Sequence, residues 1–114
     1  MRAKLFCKYG EMKGKEFEIQ DEATIGRSSA NQIVLPHQGV SKRHARIFFD
    51  PKAGRFFIED LNSTNGTLLD NIRVQGVERL GHLNVITFAE LLDFIFQDME
   101  LCKSRHPGGR PSDG

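Results

Sequence analysis

The sequence predicts an all-β sandwich or barrel. Short segments alternate apolar and polar residues, turn residues cut them at close intervals, and no segment holds a 3.6-residue apolar period over three turns. The 114 residues are one domain's worth, with no sign of a second core and no internal repeat.

The elements follow in order. Residues 4–9 and 16–20 read as strands around Gly10 and Gly14; in the second, Phe17 and Ile19 alternate with Glu16, Glu18 and Gln20. Residues 23–25 form a strand that ends at Gly26. Residues 33–35 form another, stopped by Pro36, which has no N–H for a ladder. Ala45, Ile47 and Phe49 alternate with His44, Arg46 and Phe48. The turn Asp50-Pro51-Lys52-Ala53-Gly54 then sends residues 55–59 back as a partner strand. Residues 62–66 are a polar loop, and strands at 67–69, 72–74, 84–88 and 91–97 complete the set. Segment 90–99 carries apolar residues on both parities, so a helix stays open there. The last stretch, KSRHPGGRPSDG, lacks large apolar residues and is expected to be a flexible tail over 103–114, leaving a domain over 1–102.

Sixteen Lys and Arg stand against fifteen Asp and Glu, a net charge of +1, which argues against a general nucleic-acid binder but leaves room for a local basic pocket. No apolar run reaches the roughly 18 residues of a membrane span, and the first ten residues have no signal-peptide core, so a cytoplasmic protein without membrane partners is expected. Cys7 and Cys102 read as reduced thiols in apolar surroundings, with a disulfide between the termini as the alternative. The four histidines do not cluster with cysteine at metal-ligand spacing, so neither metal nor cofactor is expected.

Three loop segments hold more polar chemistry than a sandwich requires. In Thr24-Ile25-Gly26-Arg27-Ser28, an arginine follows a glycine at a strand end, and that glycine permits another backbone to come close. Ser41-Lys42-Arg43-His44 is a small basic cluster with a serine and a histidine. It could be a nucleophile with His44 as base and Asp50 or Asp60 as orienter, although Ser41 lacks the G-x-S-x-G elbow and no oxyanion hole is visible. The alternative is a histidine that braces the loop and holds Ser41 in place. Asp60-Leu61-Asn62-Ser63-Thr64-Asn65-Gly66 ends in a common turn dipeptide, yet its hydroxyls and amides offer donors to an anion and to a peptide backbone.

Taken in order, Gly26-Arg27, then Ser41 with His44 three residues on, then Asn65-Gly66, the chain resembles a forkhead-associated (FHA) domain, a phosphothreonine-peptide binding module. The resemblance spans about residues 24–71, with strands on both sides. It implies an FHA-like (SMAD/FHA) β-sandwich of about eleven mostly antiparallel strands with binding loops at one end. It implies that Arg27, Ser41 and Thr64 contact phosphate, that Lys42 reaches the phosphate or nearby peptide backbone, and that Asn65 bonds the peptide main chain. Gly26, His44 and Gly66 would shape the loops. The chain departs from the family at Asp70-Asn71, where asparagine-glycine is usual.

The chemistry suits the residues. Phosphothreonine carries about −1.5 to −2 charge and three acceptor oxygens, and one guanidinium meets two of them at once. The resemblance thus implies a reader in Ser/Thr kinase signalling, not an enzyme, whose partner is a phosphothreonine-containing kinase or kinase substrate. A phosphorylation-independent scaffold on the same fold is the alternative, and a monomer is expected. Gly39, two before Ser41, supplies no side chain for the third residue after the phosphothreonine, so no acidic preference is expected from that loop.

Overall fold

In the computed structural model, which describes residues 1–100, eleven strands run in chain order. They are β1 (Arg2–Cys7), β2 (Glu16–Gln20), β3 (Glu22–Gly26), β4 (Ile33–Val34), β5 (Ala45–Asp50), β6 (Arg55–Asp60), β7 (Thr67–Leu69), β8 (Ile72–Arg73), β9 (Val77–Arg79), β10 (Val85–Phe88) and β11 (Leu92–Asp98). The 90–99 segment is thus strand, not helix, in its main part. The expected tail at 103–114 and Cys102 lie outside the described residues. Cys7 is buried with its thiol directed at the Tyr9 carbonyl oxygen, 3.1 Å away.

The strands follow one ladder, β8-β7-β10-β11-β1-β2-β3-β5-β6-β9, with β4 added parallel to β3. The join between β2 and β3 is a single residue pair, Gln20 with Glu22, around Asp21 at φ 63°. The ladder folds there into two mostly antiparallel sheets of a sandwich. Asp21 takes this left-handed conformation, which Asp tolerates better than most residues.

Period-two burial fills the space between the sheets. Leu5 and Cys7 of β1 and Phe94 and Phe96 of β11 face Ile25 of β3, Ile47 of β5 and Phe56 and Ile58 of β6, all essentially without solvent contact. Phe56 meets Phe96 edge-on across the sandwich, ring centres 5.5 Å apart. The turn after β5 closes as its residues suggest: the Asp50 carboxylate accepts the Lys52 N–H at 2.9 Å, and the Asp50 carbonyl accepts the Gly54 N–H at 2.8 Å.

The register decides where the loops go. Ile25 of β3 pairs with Ala45 of β5, and Ala45 pairs with Asp60 of β6, so the end of β3, the start of β5 and the end of β6 share one rim. In the other sheet Thr67 of β7 pairs with Phe88 of β10. The Ala89 N–H donates to the Gly66 carbonyl at 3.1 Å, in the connection that carries the β6 chain into β7.

Candidate functional site at the sandwich rim

The rim is assembled from backbone outward. A Cβ placed on Gly26 would lie 2.2 Å from the Lys42 carbonyl oxygen, so only glycine admits the 39–44 segment this close to β3. That contact lets the Arg27 N–H reach the Ser41 carbonyl at 2.9 Å and the Ser28 N–H reach the Lys42 carbonyl at 3.3 Å. Asn31, 7% exposed, locks the same two segments: its Nδ2 donates to the carbonyls of Ser28 at 2.8 Å and Lys42 at 2.7 Å. Nothing in the sequence pattern singled out Asn31; its role comes from reach across 11 residues of chain.

His44 ties this loop to the next. Its Nδ1 accepts the Ser41 backbone N–H at 3.1 Å, which puts the proton on Nε2, and Nε2–H donates to the Gly66 carbonyl at 2.8 Å. The imidazole stands edge-on to Phe88 with ring centres 5.7 Å apart, and its solvent exposure is zero. Both ring nitrogens are therefore occupied by backbone. His44 has no lone pair to take a proton from the Ser41 hydroxyl, and this geometry opposes the nucleophile arrangement while matching the bracing one.

The third segment is fixed by Asp60. Its carboxylate accepts the Ser63 hydroxyl at 2.6 Å, the Thr67 hydroxyl at 2.8 Å and the Ser63 N–H at 3.1 Å. Burial pushes this carboxyl up, but those donors outweigh it and hold its pKa below the ordinary 3.8. The Ser63 oxygen in turn accepts the Gly66 N–H at 3.0 Å. Asp60 thus shapes the 61–66 loop and does not orient His44. The D-x-x-S-x-x-x-T spacing was its available signal.

These braces bring the expected residues together. The Ser41 Oγ accepts the Thr64 N–H at 3.0 Å, which leaves its own proton to donate outward. The Asn65 Nδ2 donates to the Gly39 carbonyl at 2.8 Å. The Arg27 Nε donates to the Val40 carbonyl at 3.1 Å, so the guanidinium is anchored by its inner edge while the residue stays exposed. Lys42, Thr64 and Asn65 are exposed as well. Gly26 and Gly66 are buried, and Gly66 holds φ +87°, a conformation that favours glycine. Chemically, the rim offers a guanidinium, a free hydroxyl proton and an ammonium on neighbouring loops that the backbone already holds in place.

The departure at Asp70-Asn71 is accommodated. Both residues adopt left-handed conformations, φ 49° and 69°, as a two-residue type I′ hairpin turn between β7 and β8 requires. The Asp70 carboxylate accepts the Asn84 amide at 2.7 Å and the Val85 N–H at 2.8 Å, which ties the turn to β10.

The FHA domain family model matches residues 23–89. Among curated proteins, the chain is 38% identical over 81 residues to the FHA domain-containing protein FhaA of Mycobacterium tuberculosis; the match covers 64% of this chain and 15% of FhaA. A solved FHA domain from work on phosphothreonine-dependent FHA interactions superposes with a TM-score of 0.74 at 30% identity, covering 86% of this chain and 97% of that one. Mycobacterium tuberculosis EmbR in complex with a low-affinity phosphopeptide gives 0.74 at 30% identity, over 84% of this chain and 24% of EmbR. Against FhaA and EmbR the chain thus spans only a minor part of the relative's length. No helix among the described residues is long and apolar enough to cross a membrane.

Proposed function

The chain belongs to the FHA domain family, and from that premise we propose that it reads phosphorylation: it binds phosphothreonine-containing segments of protein partners through its rim. FHA domains are interaction modules. The partner is a Ser/Thr kinase or a kinase substrate, met by a monomer in the cytoplasm, and the rim performs no catalysis. The likeness to a phosphothreonine-dependent FHA domain and to the phosphopeptide complex of EmbR supports this reading.

The observation that carries it is the Thr64 N–H on the Ser41 Oγ. Having accepted that bond, the Ser41 hydroxyl still has its own proton to donate. In the proposed complex it donates to a phosphate oxygen, the free end of Arg27 takes up to two more, and Lys42 and the Thr64 hydroxyl add further contacts. Asn65 then bonds the peptide main chain beside the phosphothreonine. Charge-assisted hydrogen bonds contribute roughly 1.5–3 kcal/mol each. Less the cost of association, a few of them give a dissociation constant on the order of micromolar.

Fluorescence anisotropy against a phosphothreonine peptide library tests the reading. Micromolar binding by a subset is expected, with the unphosphorylated counterparts at least about 30-fold weaker. Equal affinity for phosphorylated and bare peptides overturns it.

A further inference from the structure

The turn at the rim also carries covalent chemistry of its own. Among the asparagines of the chain, Asn65 alone precedes a glycine. The backbone nitrogen after an asparagine can attack the side-chain carbonyl carbon, and a following glycine, having no Cβ, opposes that approach least. Asn65 is exposed, so water reaches its side chain.

Both ends of that reaction are held in this turn. The Gly66 N–H, the attacking group, is buried and donates to the Ser63 Oγ at 3.0 Å. The Ser63 hydroxyl gives its own proton to the Asp60 carboxylate at 2.6 Å, so its oxygen shows the Gly66 nitrogen only lone pairs. Attack requires Gly66 to lose its proton, and the negative nitrogen would then face those lone pairs with no donor to satisfy it. The leaving group is tied as well, because the Asn65 Nδ2 donates to the Gly39 carbonyl at 2.8 Å. The His44 ring and the Ala89 N–H both bond the Gly66 carbonyl, which holds the backbone on the far side of the attacking nitrogen.

We propose that Asn65 is a self-modification site and that the Ser63 hydroxyl sets how fast it deamidates. In the first step the Gly66 nitrogen loses its proton to solvent and bonds to the Asn65 Cγ. The Cγ–Nδ2 bond breaks, and Nδ2 takes up a proton and leaves as ammonia. Water then opens the five-membered succinimide at either carbonyl, giving aspartate or isoaspartate; nothing is oxidised or reduced. Aspartate replaces the donor to the Gly39 carbonyl with a carboxylate, and isoaspartate also lengthens the main chain of the turn by one methylene. Each product sets a negative charge beside the place proposed for phosphate, and like charges repel there. That effect on binding rests on the phosphothreonine reading, whereas the reaction itself does not.

The test follows Asn65 conversion by mass spectrometry of proteolytic fragments during incubation in mildly alkaline buffer. The folded wild-type chain is expected to convert at least about tenfold more slowly than the same chain unfolded in guanidinium chloride. Ser63→Ala frees the Gly66 N–H and is expected to convert at least about fivefold faster than wild type. Thr67→Val removes another hydroxyl from the Asp60 carboxylate but keeps the Ser63 bond to Gly66, so it controls for lost stability and is expected to stay within about twofold of wild type. Equal rates in the folded and unfolded wild-type chain overturn the proposal, as does a wild-type rate in folded Ser63→Ala or equal acceleration in both variants. Amide hydrogen exchange needs no variant: Gly66 is expected among the slow amides, and exchange at the rate of a free loop overturns the role of Ser63. The deamidated fraction, separated by ion exchange, is expected to bind phosphothreonine peptides at least about tenfold more weakly, and undiminished binding overturns the claimed effect. If the unmodified chain binds no such peptide, the phosphopeptide reading falls, while the rate comparison still decides the reaction.

Discussion

The rim and the outer face of β5 and β6 both display arginine, and they use it in opposite ways. On the sheet face, Arg46 donates from Nε to Glu59 at 3.0 Å and from a terminal nitrogen to Glu22 at 3.2 Å, and its guanidinium lies 4.1 Å from the centre of the Phe48 ring. Burial pulls its pKa down, but the bonds to the two glutamates raise it further, and the net is upward. At the rim, Arg27 is exposed and gives a single side-chain bond, to a backbone carbonyl, with no partner for its terminal nitrogens among the described residues. The first arginine is consumed by the fold. The second is anchored by the fold and left with unspent polar capacity, which in the proposed reading, more than residue type or local charge, separates the binding surface from a structural one.

Four substitutions break or sharpen that contrast, in falling order of effect. Gly26→Ala drives a methyl to 2.2 Å from the Lys42 carbonyl oxygen, backbone that cannot easily yield. A loss of at least about 3 kcal/mol in urea denaturation is expected, with loss of folding as its limit. Arg27→Ala is expected to weaken phosphothreonine-peptide binding by at least about 30-fold, close to 2 kcal/mol, while the melting temperature stays within about 2 °C. Unchanged affinity in that variant ends the proposed mechanism.

Asp60→Asn removes the acceptor shared by two hydroxyls and one N–H. It is expected to cost about 1–2 kcal/mol of stability near pH 7. The folded Asp60 carboxyl is more acidic than its ordinary 3.8, so its stabilising effect is complete above that value and lost as pH falls through the lower folded one. Stability curves of wild type and Asp60→Asn are therefore expected to converge on acidification below about pH 4; parallel curves down to that limit refute the assignment. Arg46→Ala, the mirror of the rim variant, is expected to lose about 1 kcal/mol of stability and to keep its peptide affinity within about twofold. A collapse of binding there erases the distinction between the two surfaces.

How much was legible in the sequence follows the same division. Ser41, His44 and Asn65-Gly66 stand out in the chain because each loop uses a group few residue types supply: a hydroxyl that can accept and donate at once, a ring with opposed nitrogens, and at Gly66 a left-handed backbone. The strands β5, β6 and β11 were legible from alternation that the structure repeats as buried and less buried positions. Strand β9 was not. Val77, Glu78 and Arg79 are all exposed and belong to the sheet only through their pairing with β6, so no apolar pattern marks them. Asp60 was visible as a candidate for the wrong partner, since sequence spacing does not reveal that His44 turns both nitrogens toward backbone.

The Gly66 carbonyl receives two donors, the His44 ring and the Ala89 N–H, one from each half of the molecule. That double clasp means the Thr64 side chain projects from a scaffold it does not help to support, whereas the Asn65 amide also ties the turn to the Gly39 carbonyl. A different residue at position 64 would then change the chemistry the turn presents without rebuilding the frame, which makes that one stem a natural place for engineering new selectivity in the proposed reading.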